Sequence, residues 1–376
     1  MTRDFRIVQV AHGRLIPQYS SAYALRCIRY LSHFKNRLVL STGGLIFHDE
    51  EREGVKQYRS IIMTGLAFLK GGRALEIYLS KGKFLRKKYL KDLFSAVKNS
   101  KVVVFEGPWQ FYLLRDVLEE KVVIYDAHNV EASLRKGTEY EEYTEKLESA
   151  LVKRADHVIT FSEEDASLMS TLYGKDIRSV TPIPDGFENP TCTWAGSESR
   201  DVVFIGSAYM PNLEAAKNVI MIAGQKPEYN FKIIGSVCNS LKKRSIPSNV
   251  KLLGIIDEAT KEKEICTSFL ALNPVERGSG VNVKMLDYIS HGVPIITTEI
   301  GTRGFEAEIK ETFTICNIKD FSGAIESAQN NKQSLKNKSF QMLQYSKGLN
   351  YEKTRESAAE LIRTLVDEQL NNSVLK

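Results

Sequence analysis

Short runs of apolar residues recur along the chain and alternate with longer segments of helical periodicity. Ten of these runs are rich in β-branched residues and have the length of strands. Because their apolar residues are continuous, we expect parallel sheets that are covered by helices on both faces. Five runs fall in each half of the chain, which predicts two doubly wound α/β domains. The predicted strands are residues 6–11, 37–41, 102–106, 122–125, 157–161, 202–206, 231–235, 251–253, 269–273 and 294–297.

A change in composition marks the boundary between the two halves. Residues 182–186 read Pro-Ile-Pro-Asp-Gly, and residues 188–200 are rich in Pro, Gly, Ser and Thr, as linkers are. We therefore predict an N-terminal domain over residues 1–186 and a second domain over residues 187–350. The segment 351–376 has apolar positions at helical spacing, so we predict a C-terminal helix that crosses back to the first domain.

The composition of the 376-residue chain is that of a globular protein and excludes several classes. No apolar run approaches the roughly 20 residues that span a bilayer. The N-terminus runs directly into the first predicted strand, so no signal peptide is expected. The cysteines are scattered and never form a CxxC pair, which argues against a disulfide framework and a zinc site and predicts a reducing cytoplasm. They are Cys27, Cys192, Cys238, Cys266 and Cys316.

The net charge is +6, and one segment concentrates the positive charge. Residues 81–91 contain no acidic residue and mix basic with apolar side chains, a pattern typical of a basic amphipathic helix. A solvated helix face is one interpretation; a surface for anionic lipid head groups or a phosphorylated acceptor is the other. No recognised nucleic-acid motif accompanies the charge, so no nucleic-acid partner is expected. The basic residues are Lys81, Lys83, Arg86, Lys87, Lys88 and Lys91.

The segment after the predicted strand at residues 269–273 carries the richest candidate chemistry. A loop of small residues there opens a predicted helix, and such a loop lets a ligand approach the backbone. The first N–H groups of a helix bind anions such as a diphosphate. Lys284 and Asp287 lie four and seven residues after Gly280, which puts all three on one helix face. This spacing suits a nucleotide whose phosphates meet the helix start and whose ribose meets Asp287. The small residues are Gly278, Ser279 and Gly280.

The sequence from residue 274 to residue 304 resembles the nucleotide-binding signature of glycosyltransferase family 4. The variant GSG-x3-K-x-L-E, followed by G-x-P-V-V-x-T and a loop glycine, reads GSGVNVKMLD and GVPIITT here. Three further segments resemble landmarks of that family in the same order. They are YDAHNVE at 125–131 (D-x-H-N-x-E), IPDGF at 183–187 (the I-P-N-G-V hinge) and VFIGS at 203–207, the strand and loop that open the second domain.

The resemblance implies a GT-B fold, with two Rossmann-like domains and a cleft between them. It also implies retaining transfer of a sugar from a UDP- or GDP-linked donor to a glycan or lipid-linked acceptor. No Asp-x-Asp pair occurs in the chain, so we expect transfer without a metal, and no cofactor besides the nucleotide-sugar cosubstrate. We expect a cytoplasmic enzyme of cell-envelope polysaccharide biosynthesis. Peripheral contact with the inner face of the membrane through residues 81–91 stays open.

The resemblance also implies roles for single residues. His128 follows a strand at its carboxyl end, where ligands bind in open α/β sheets, and is the candidate that hydrogen-bonds the donor sugar. Lys284 is expected to stabilise the charge that grows on the leaving diphosphate, and Glu276 to accept a sugar hydroxyl. No residue is predicted to hold a metal. Further donor contacts are predicted for Gly206, Gly254, Arg277, Gly278, Ser279, Gly280 and Asp287, and acceptor contacts for Arg14 and Tyr19.

The sequence departs from the family pattern at several positions, which leaves alternatives open. The family often has two glutamates eight positions apart, where this chain has Ser279 and Asp287. His128 has the structural alternative of satisfying its own turn, and Asp287 that of pairing with Lys284. The functional alternatives are a non-catalytic GT-B-like binding subunit and a nucleotide-sugar epimerase or phosphorylase. A nicotinamide-dependent enzyme is rejected because no GxGxxG follows the first strand.

Overall fold

The computed structural model describes residues 5–16, 22–44, 48–70, 72–242, 245–277 and 281–374. The chain divides into two compact units. The first comprises Met1–Asp185 with Glu352–Lys376, and the second comprises Gly186–Tyr351. Each unit is built on one predominantly parallel sheet. Doubly wound α/β units were predicted from the continuous apolar strands, and this class of architecture is what the chain adopts.

The first unit contains an eight-stranded sheet. Its strands are β1 (Ile7–His12), β2 (Arg37–Gly43), β3 (Glu50–Arg52), β4 (Val55–Arg59), β5 (Val102–Phe105), β6 (Val122–Ala127), β7 (His157–Thr160) and β8 (Val180–Pro182). They lie in the order β3-β4-β2-β1-β5-β6-β7-β8, and only the β3–β4 pair is antiparallel. The central strands are buried along their whole length, which is why their sequences carry no polar alternation.

Within the described residues, the helices α1 to α8 connect and cover the strands of this unit. The apolar positions of α4 show the pattern clearly, because Tyr89, Leu93 and Val97 recur at helical spacing and are all buried. The helix α8 is capped by Ser162, whose side chain accepts the N–H of Asp165. The helices are α1 (Ala22–Arg29), α2 (Ile61–Lys70), α3 (Gly72–Leu79), α4 (Lys87–Lys98), α5 (Phe111–Leu114), α6 (Glu131–Leu134), α7 (Glu141–Arg154) and α8 (Glu163–Tyr173).

The second unit contains a six-stranded sheet in which every neighbouring pair is parallel. Its strands are β9 (Asp201–Ile205), β10 (Asn230–Ile234), β11 (Val250–Gly254), β12 (Leu270–Asn273), β13 (Ile295–Thr297) and β14 (Thr314–Ile315). They lie in the order β11-β10-β9-β12-β13-β14. Its helices are α9 (Met210–Gln225), α10 (Glu258–Thr267), α11 (Lys284–Ser290), α12 (Ala307–Lys310), α13 (Phe321–Asn330) and α14 (Lys332–Gly348).

Each sheet contains one point where the direction of strand addition reverses. In the first unit β1 pairs with β2 on one side and with β5 on the other. In the second unit β9 pairs with β10 on one side and with β12 on the other. Ligands of open α/β sheets bind beyond the carboxyl ends of strands at such points, because the connections leave in opposite directions there. The residues that follow β1, β5, β9 and β12 are therefore the candidate positions for a ligand site.

The last helix of the chain, α15 (Tyr351–Val374), packs on the first unit from Glu352 onward. Ile362 is fully buried in a cluster that includes Ile7 of β1 and Ile124 of β6. The hydroxyl of Thr354 donates to the carbonyl of Pro184, at 3.2 Å. Apolar burial and this hydrogen bond together tie the C-terminal segment to the sheet of the first unit.

The ten strands predicted from the sequence are present, with ends that differ by a few residues, but four strands were missed. The pair β3 and β4 forms a hairpin in which Glu53 and Gly54 both have positive φ, as a tight two-residue turn requires. Its polar sequence gives no apolar run to detect. The other two missed strands, β8 and β14, are three and two residues long.

Two further expectations are contradicted by the structure. Residues 81–91 are not one amphipathic helix: Gly82–Phe84 is a separate 3-10 turn, and α4 begins at Lys87. The expectation that the cysteines form no disulfide is also wrong. Cys192 and Cys266 are joined, with their Cα atoms 6.3 Å apart and 74 positions apart in sequence. The pair comes from distant segments that the fold brings together, which spacing rules for nearby cysteines do not detect.

Among the described helices, none combines the length and apolar composition needed to cross a bilayer.

The docking of α15 generates a stability prediction. We expect Ile362→Ala to lower the free energy of unfolding of the first unit by about 2–5 kcal/mol, because it leaves a cavity in a fully buried cluster. Urea unfolding of the full chain, followed by circular dichroism, measures the change. The matched control Thr364→Ala lies on the exposed face of the same helix and should change little. An Ile362→Ala chain as stable as the wild type would contradict the assigned packing.

Candidate functional site

A buried lysine lies beside the switch point of the second unit. Lys284 is the first residue of α11, and its Nζ donates to Oδ1 of Asn212 at 2.8 Å and to Oδ1 of Asn273 at 3.3 Å. The ammonium group also lies 5.2 Å from the centroid of the Phe204 ring. These partners are two neutral amides and an aromatic face, so no carboxylate in these contacts balances the charge. Burial lowers the pKa of Lys284 to about 7.

The position of Lys284 follows from the strands on either side of the switch point. Asn273 ends β12, and Phe204 lies in β9. Asn212 lies in the first turn of α9, where Pro211 has no N–H to leave unpaired. The two amides thus reach the lysine from two elements that meet at the carboxyl edge of the sheet. An anionic ligand here would supply the counter-charge that the buried ammonium lacks.

Glycines close the carboxyl ends of the three strands β9, β10 and β11. The N–H of Gly235 donates to the carbonyl of Gly254 at 2.7 Å, and a Cβ on Gly235 would lie 2.3 Å from the carbonyl oxygen of Gly206. Gly235 and Gly254 both have positive φ, which favours glycine at each position, and the approach to Gly206 is a second reason at Gly235 alone. Gly206 and Gly254 were predicted as donor contacts from the resemblance. Gly235 was counted only as the end of a strand, although its place matches theirs.

Asp287 lies one turn after Lys284 but has a different partner. Its Oδ1 accepts from Nζ of Lys261 on α10 at 3.2 Å, and Lys261 also pairs with Glu258 at 2.7 Å. The predicted alternative of an Asp287–Lys284 pair is therefore wrong. Partial burial raises the pKa of Asp287, and the charge of Lys261 opposes that rise. Sequence reasoning missed Lys261, because the contact joins two helices that are separated by a strand.

The remaining donor candidates occupy the loop before α11. Arg277 is exposed, and its guanidinium binds the carboxylate of Glu214 on α9. Glu276 is exposed, and within the described chain it has no hydrogen bond or ion pair. Arg277 is thus held near the start of α9 by a neutralising partner that a phosphate would have to displace. Gly278, Ser279 and Gly280 lie outside the described residues, so their predicted roles stay predictions.

In the first unit a buried ion network lies under the carboxyl ends of the strands. Arg26 of α1 is fully buried, and its Nε and Nη2 donate to both carboxylate oxygens of Asp126 at 2.8 and 2.7 Å. Its Nη1 donates to Asp185 at 3.1 Å and to the carbonyl of Ile183 at 2.9 Å. Burial alone would raise the pKa of Asp126, but the charge and hydrogen bonds of Arg26 outweigh it and hold the pKa below the usual value.

His128 stands at the edge of this network. Its Nε2 is 2.9 Å from Oε2 of Glu106 and 3.6 Å from Oδ2 of Asp126. Nε2 is the ring nitrogen that faces the carboxylates, so Nδ1 is the nitrogen left for a hydrogen bond to another group. The ring packs against Tyr23 and Phe161, with centroids 4.6 and 5.5 Å away. The alternative that His128 only satisfies its own turn does not describe these contacts, since its closest polar partner comes from the neighbouring strand.

Glu106 is a central residue of this cluster that sequence reasoning missed. It directly follows β5, and its other carboxylate oxygen accepts from Nε2 of Gln9 on β1 at 2.6 Å. The thiol of Cys27 lies 3.5 Å from the oxygen that His128 approaches. The available signal was an acidic residue at the carboxyl end of a fully apolar strand. Glu106 thereby links β1, α1 and the His128 loop at the switch point.

A second histidine and the predicted acceptor residues complete this edge of the sheet. His12 ends β1, and its Nδ1 is 2.8 Å from the Tyr23 hydroxyl, which accepts the His12 N–H at 3.0 Å. Nε2 of His12 lies 3.6 Å from Glu76. Arg14 is exposed, and its Nε donates to the carbonyl of Ile16 at 3.1 Å. Tyr19 lies outside the described residues. His12 was not predicted, although it directly follows the first predicted strand.

Comparison with known proteins adds a family match for part of the chain. Residues 199–331, which lie within the second unit, match the family described as "Glycosyl transferases group 1". That span is about a third of the chain and contains the Lys284 cluster. A search of curated proteins finds no significant match.

Solved structures resemble the whole chain at low sequence identity. HepE of Anabaena in complex with UDP has a TM-score of 0.72 and 11% identity over 96% of this chain and 100% of that one. Sucrose-phosphate synthase of Thermosynechococcus elongatus has a TM-score of 0.71 and 13% identity over 96% and 100%. A UDP-forming α,α-trehalose-phosphate synthase of Burkholderia xenovorans has a TM-score of 0.65 and 11% identity over 96% and 99%. The GT-B fold that the sequence predicted is confirmed by these similarities.

Proposed function

We propose that the chain is a glycosyltransferase that takes a sugar from a nucleotide-sugar donor and binds the nucleoside diphosphate beside Lys284. The observation that carries this proposal is the buried ammonium of Lys284, whose contacts are neutral, at the switch point of the unit that matches the glycosyl transferases group 1 family. A diphosphate is the kind of ligand that such a cation binds. HepE binds UDP, and another similar structure is a UDP-forming enzyme, which favours a UDP-linked donor over a GDP-linked one.

The proposed chemistry uses charge more than covalent groups. When the bond between the sugar and the diphosphate breaks, negative charge grows on the leaving phosphate, and Lys284 stabilises it in a site with little water. Asp287 accepts a ribose hydroxyl while keeping Lys261 as its counter-ion. We propose retention of configuration and transfer without a metal or a cofactor. The leaving phosphate then takes the proton of the acceptor hydroxyl.

The first unit supplies the sugar and acceptor contacts in this proposal. Nδ1 of His128 accepts a hydroxyl of the donor sugar, and Glu106 fixes the ring by holding Nε2. A glycan or lipid-linked acceptor binds at the loops after β1, where Arg14, Tyr19 and His12 occur in sequence. Glu276 remains the proposed partner of a sugar hydroxyl on the second unit.

The first test is nucleotide binding. We expect one nucleoside diphosphate among UDP, GDP and ADP to raise the melting temperature, since a ligand at 100 times its Kd stabilises by about 2.7 kcal/mol. Lys284→Ala should abolish the shift, because it removes the cation, and chelation of metals should leave the shift unchanged. Lys263→Ala, an exposed lysine on α10, is the matched control. His128→Ala should keep nucleotide binding and lose sugar transfer.

The outcomes separate the functional alternatives. If none of the nucleotides raises the melting temperature of the wild-type chain, the proposal is contradicted and the non-catalytic binding subunit is favoured. Binding of a nucleotide sugar that is converted without any acceptor would favour an epimerase. Circular dichroism of each variant checks that loss of the shift reflects loss of the site rather than of the fold.

The low pKa of Lys284 predicts that nucleotide binding takes up a proton. With a pKa of about 7, the side chain is mostly neutral at about pH 8. A bound diphosphate favours the charged form and raises this pKa, so affinity should fall as the pH rises from about 7 toward the pKa of the complex. Calorimetric titration at about pH 8 in two buffers of different ionisation enthalpy measures the uptake. Lys284→Met should remove it, and equal binding heats in both buffers for the wild type would refute the prediction.

We also propose that the first unit contacts an anionic membrane from the cytoplasmic side. Helix α2 exposes apolar side chains, with Phe68 76% and Leu69 83% exposed, together with Ile61 and Ile62. Arg86 donates to the carbonyl of Arg59 at 3.0 Å, so the middle of the basic segment 81–91 lies beside the start of α2. Arg86 and Lys88 are partly neutralised by Asp49. The combination of exposed apolar and basic groups supports binding to anionic lipid. The exposed basic residues are Lys81, Lys83, Lys87, Lys88 and Lys91.

Vesicle co-sedimentation tests the membrane proposal. We expect binding to vesicles that contain anionic lipid, weaker binding at high salt, and little binding to neutral vesicles. The double variant Phe68→Ser/Leu69→Ser should lower the bound fraction severalfold. Leu172→Ser, which changes an exposed leucine on α8, is the control and should bind as the wild type does. Equal binding of the double variant would show that α2 is not the contact surface.

A further inference from the structure

Three donor groups of the kinds that bind zinc meet in the second unit, away from Lys284. They come from three separate segments: Cys192 from the stretch before β9, Cys266 from the last turn of α10, and His291 from the residue after α11. One ligand atom of each lies within 4.8 Å of the others. In the structure the two sulfurs form a disulfide, and the imidazole lies beside it.

His291 is held in the form that a metal ligand requires. Its Nδ1 lies 2.6 Å from the backbone carbonyl of Asp287 and 3.1 Å from the hydroxyl of Ser290. Because a carbonyl can only accept, Nδ1 carries the proton, and Nε2 of the neutral ring has a free lone pair. The side chain is 4% exposed, and within the described residues Nε2 has no hydrogen-bond partner. Metal-bound histidines are oriented in this way, with the second nitrogen donating to a carbonyl.

A carboxylate lies close to the imidazole of this group. Oε1 of Glu262 is 4.0 Å from Nε2 of His291, and its side chain is 12% exposed. Glu262 lies four residues before Cys266 on α10, so both side chains are on one helix face. The Sγ of Cys192 also lies 3.5 Å from the carbonyl of Glu262. Two sulfurs and an imidazole thus come together from α10, from the end of α11 and from the segment before β9, with the Glu262 carboxylate next to the imidazole.

We propose that the reduced form of the Cys192–Cys266 pair binds one zinc ion together with His291, with Glu262 or water as the fourth ligand. Reduction breaks the S–S bond: the disulfide takes up two electrons and two protons from a dithiol reductant, which is oxidised to its own disulfide. Each thiol then releases its proton to water as its sulfur binds the ion. Two thiolates neutralise the two positive charges, and sulfur with imidazole is the ligand set that zinc prefers.

The expectation of no zinc site rested on the absence of CxxC pairs, and that argument covers only ligands that are close in sequence. Here the fold assembles the set from positions 192, 266 and 291. The main chain is already tied at the same place, since the N–H of Trp194 donates to the carbonyl of His291 at 2.8 Å and that of Ala195 donates to the carbonyl of Cys266 at 2.9 Å. Disulfide and zinc are thus alternative cross-links of the segment before β9 to α10 and α11. The proposal does not depend on the glycosyltransferase activity.

Zinc titration of the full chain tests the proposal. The protein is reduced with a phosphine, freed of metal, and titrated anaerobically with zinc against a chromophoric chelator. We expect one equivalent to bind tightly, and the oxidised chain to bind at least about tenfold more weakly. Cys192→Ser, Cys266→Ser and His291→Ala should each lower the affinity by at least about tenfold. Cys316→Ser and His48→Ala are the controls and should bind as the wild type does. Cobalt in place of zinc should give the absorption band of thiolate ligation.

A measurement on the wild type keeps the test independent of variant folding. Zinc should protect Cys192 and Cys266 of the reduced chain from alkylation, as located by mass spectrometry, and should leave Cys316 unprotected. Equal alkylation of all three with and without zinc, or one equivalent bound equally well by His291→Ala, would overturn the proposal. In that case the pair is a disulfide only, and His291 is a buried histidine that donates to the end of its helix.

Discussion

The buried guanidinium of Arg26 is the contact on which the first unit depends. It joins α1 to β6 through Asp126 and to the segment after β8 through Asp185 and the carbonyl of Ile183. All of these groups are excluded from water, so each needs the others: an uncompensated buried charge costs about 3–5 kcal/mol. His128 follows Asp126 by two residues and lies 3.6 Å from its carboxylate. The ion network therefore also fixes the residue proposed to contact the sugar.

The second unit also buries a cation, but its contacts there are neutral groups. Lys284 has two amide oxygens and an aromatic face where Arg26 has two carboxylates. The difference is visible in the charge states, because burial lowers the pKa of Lys284 while Asp126 keeps Arg26 firmly charged. A cation whose counter-ions are part of the chain supports the fold. A cation without them needs an anion from outside to balance it, and this contrast is why we propose Lys284, and not Arg26, as the residue that binds a ligand.

The sequence predicted the sheet architecture well because the strands at the centre of each sheet are buried on both faces. The run Val102–Phe105 contains only apolar residues and admits few other interpretations. The same reasoning fails for β3 and β4, which lie at the edge of the sheet and carry polar residues. Lys284 and Asp287 could be predicted as candidate site residues because a motif places them at fixed spacing on one helix.

The residues that contact the candidate site residues could not be predicted from the sequence. Glu106, Arg26 and Lys261 look like ordinary strand-end and helix residues until the fold brings them against His128, Asp126 and Asp287. Gly235 was assigned only to a strand, although its backbone conformation and its approach to Gly206 give it the same place as the neighbouring glycines. Each of these contacts joins elements that are not adjacent in the chain, and hydrophobic periodicity carries no information about which of them meet.

Helix α11 shows how closely the candidate chemistry of the second unit depends on its support. Its seven residues rise about 10 Å, and they carry Lys284 at one end and adjoin His291 at the other. The first end is held by amides from β12 and α9, and the second by the carbonyl of Asp287 and the cluster around Cys192 and Cys266. Asp287 lies between them and is bound to α10 through Lys261. Because a short helix has little stability of its own, its orientation comes from these contacts. The segment that carries Cys192 also contacts the end of this helix, since the N–H of Trp194 donates to the carbonyl of His291 at 2.8 Å.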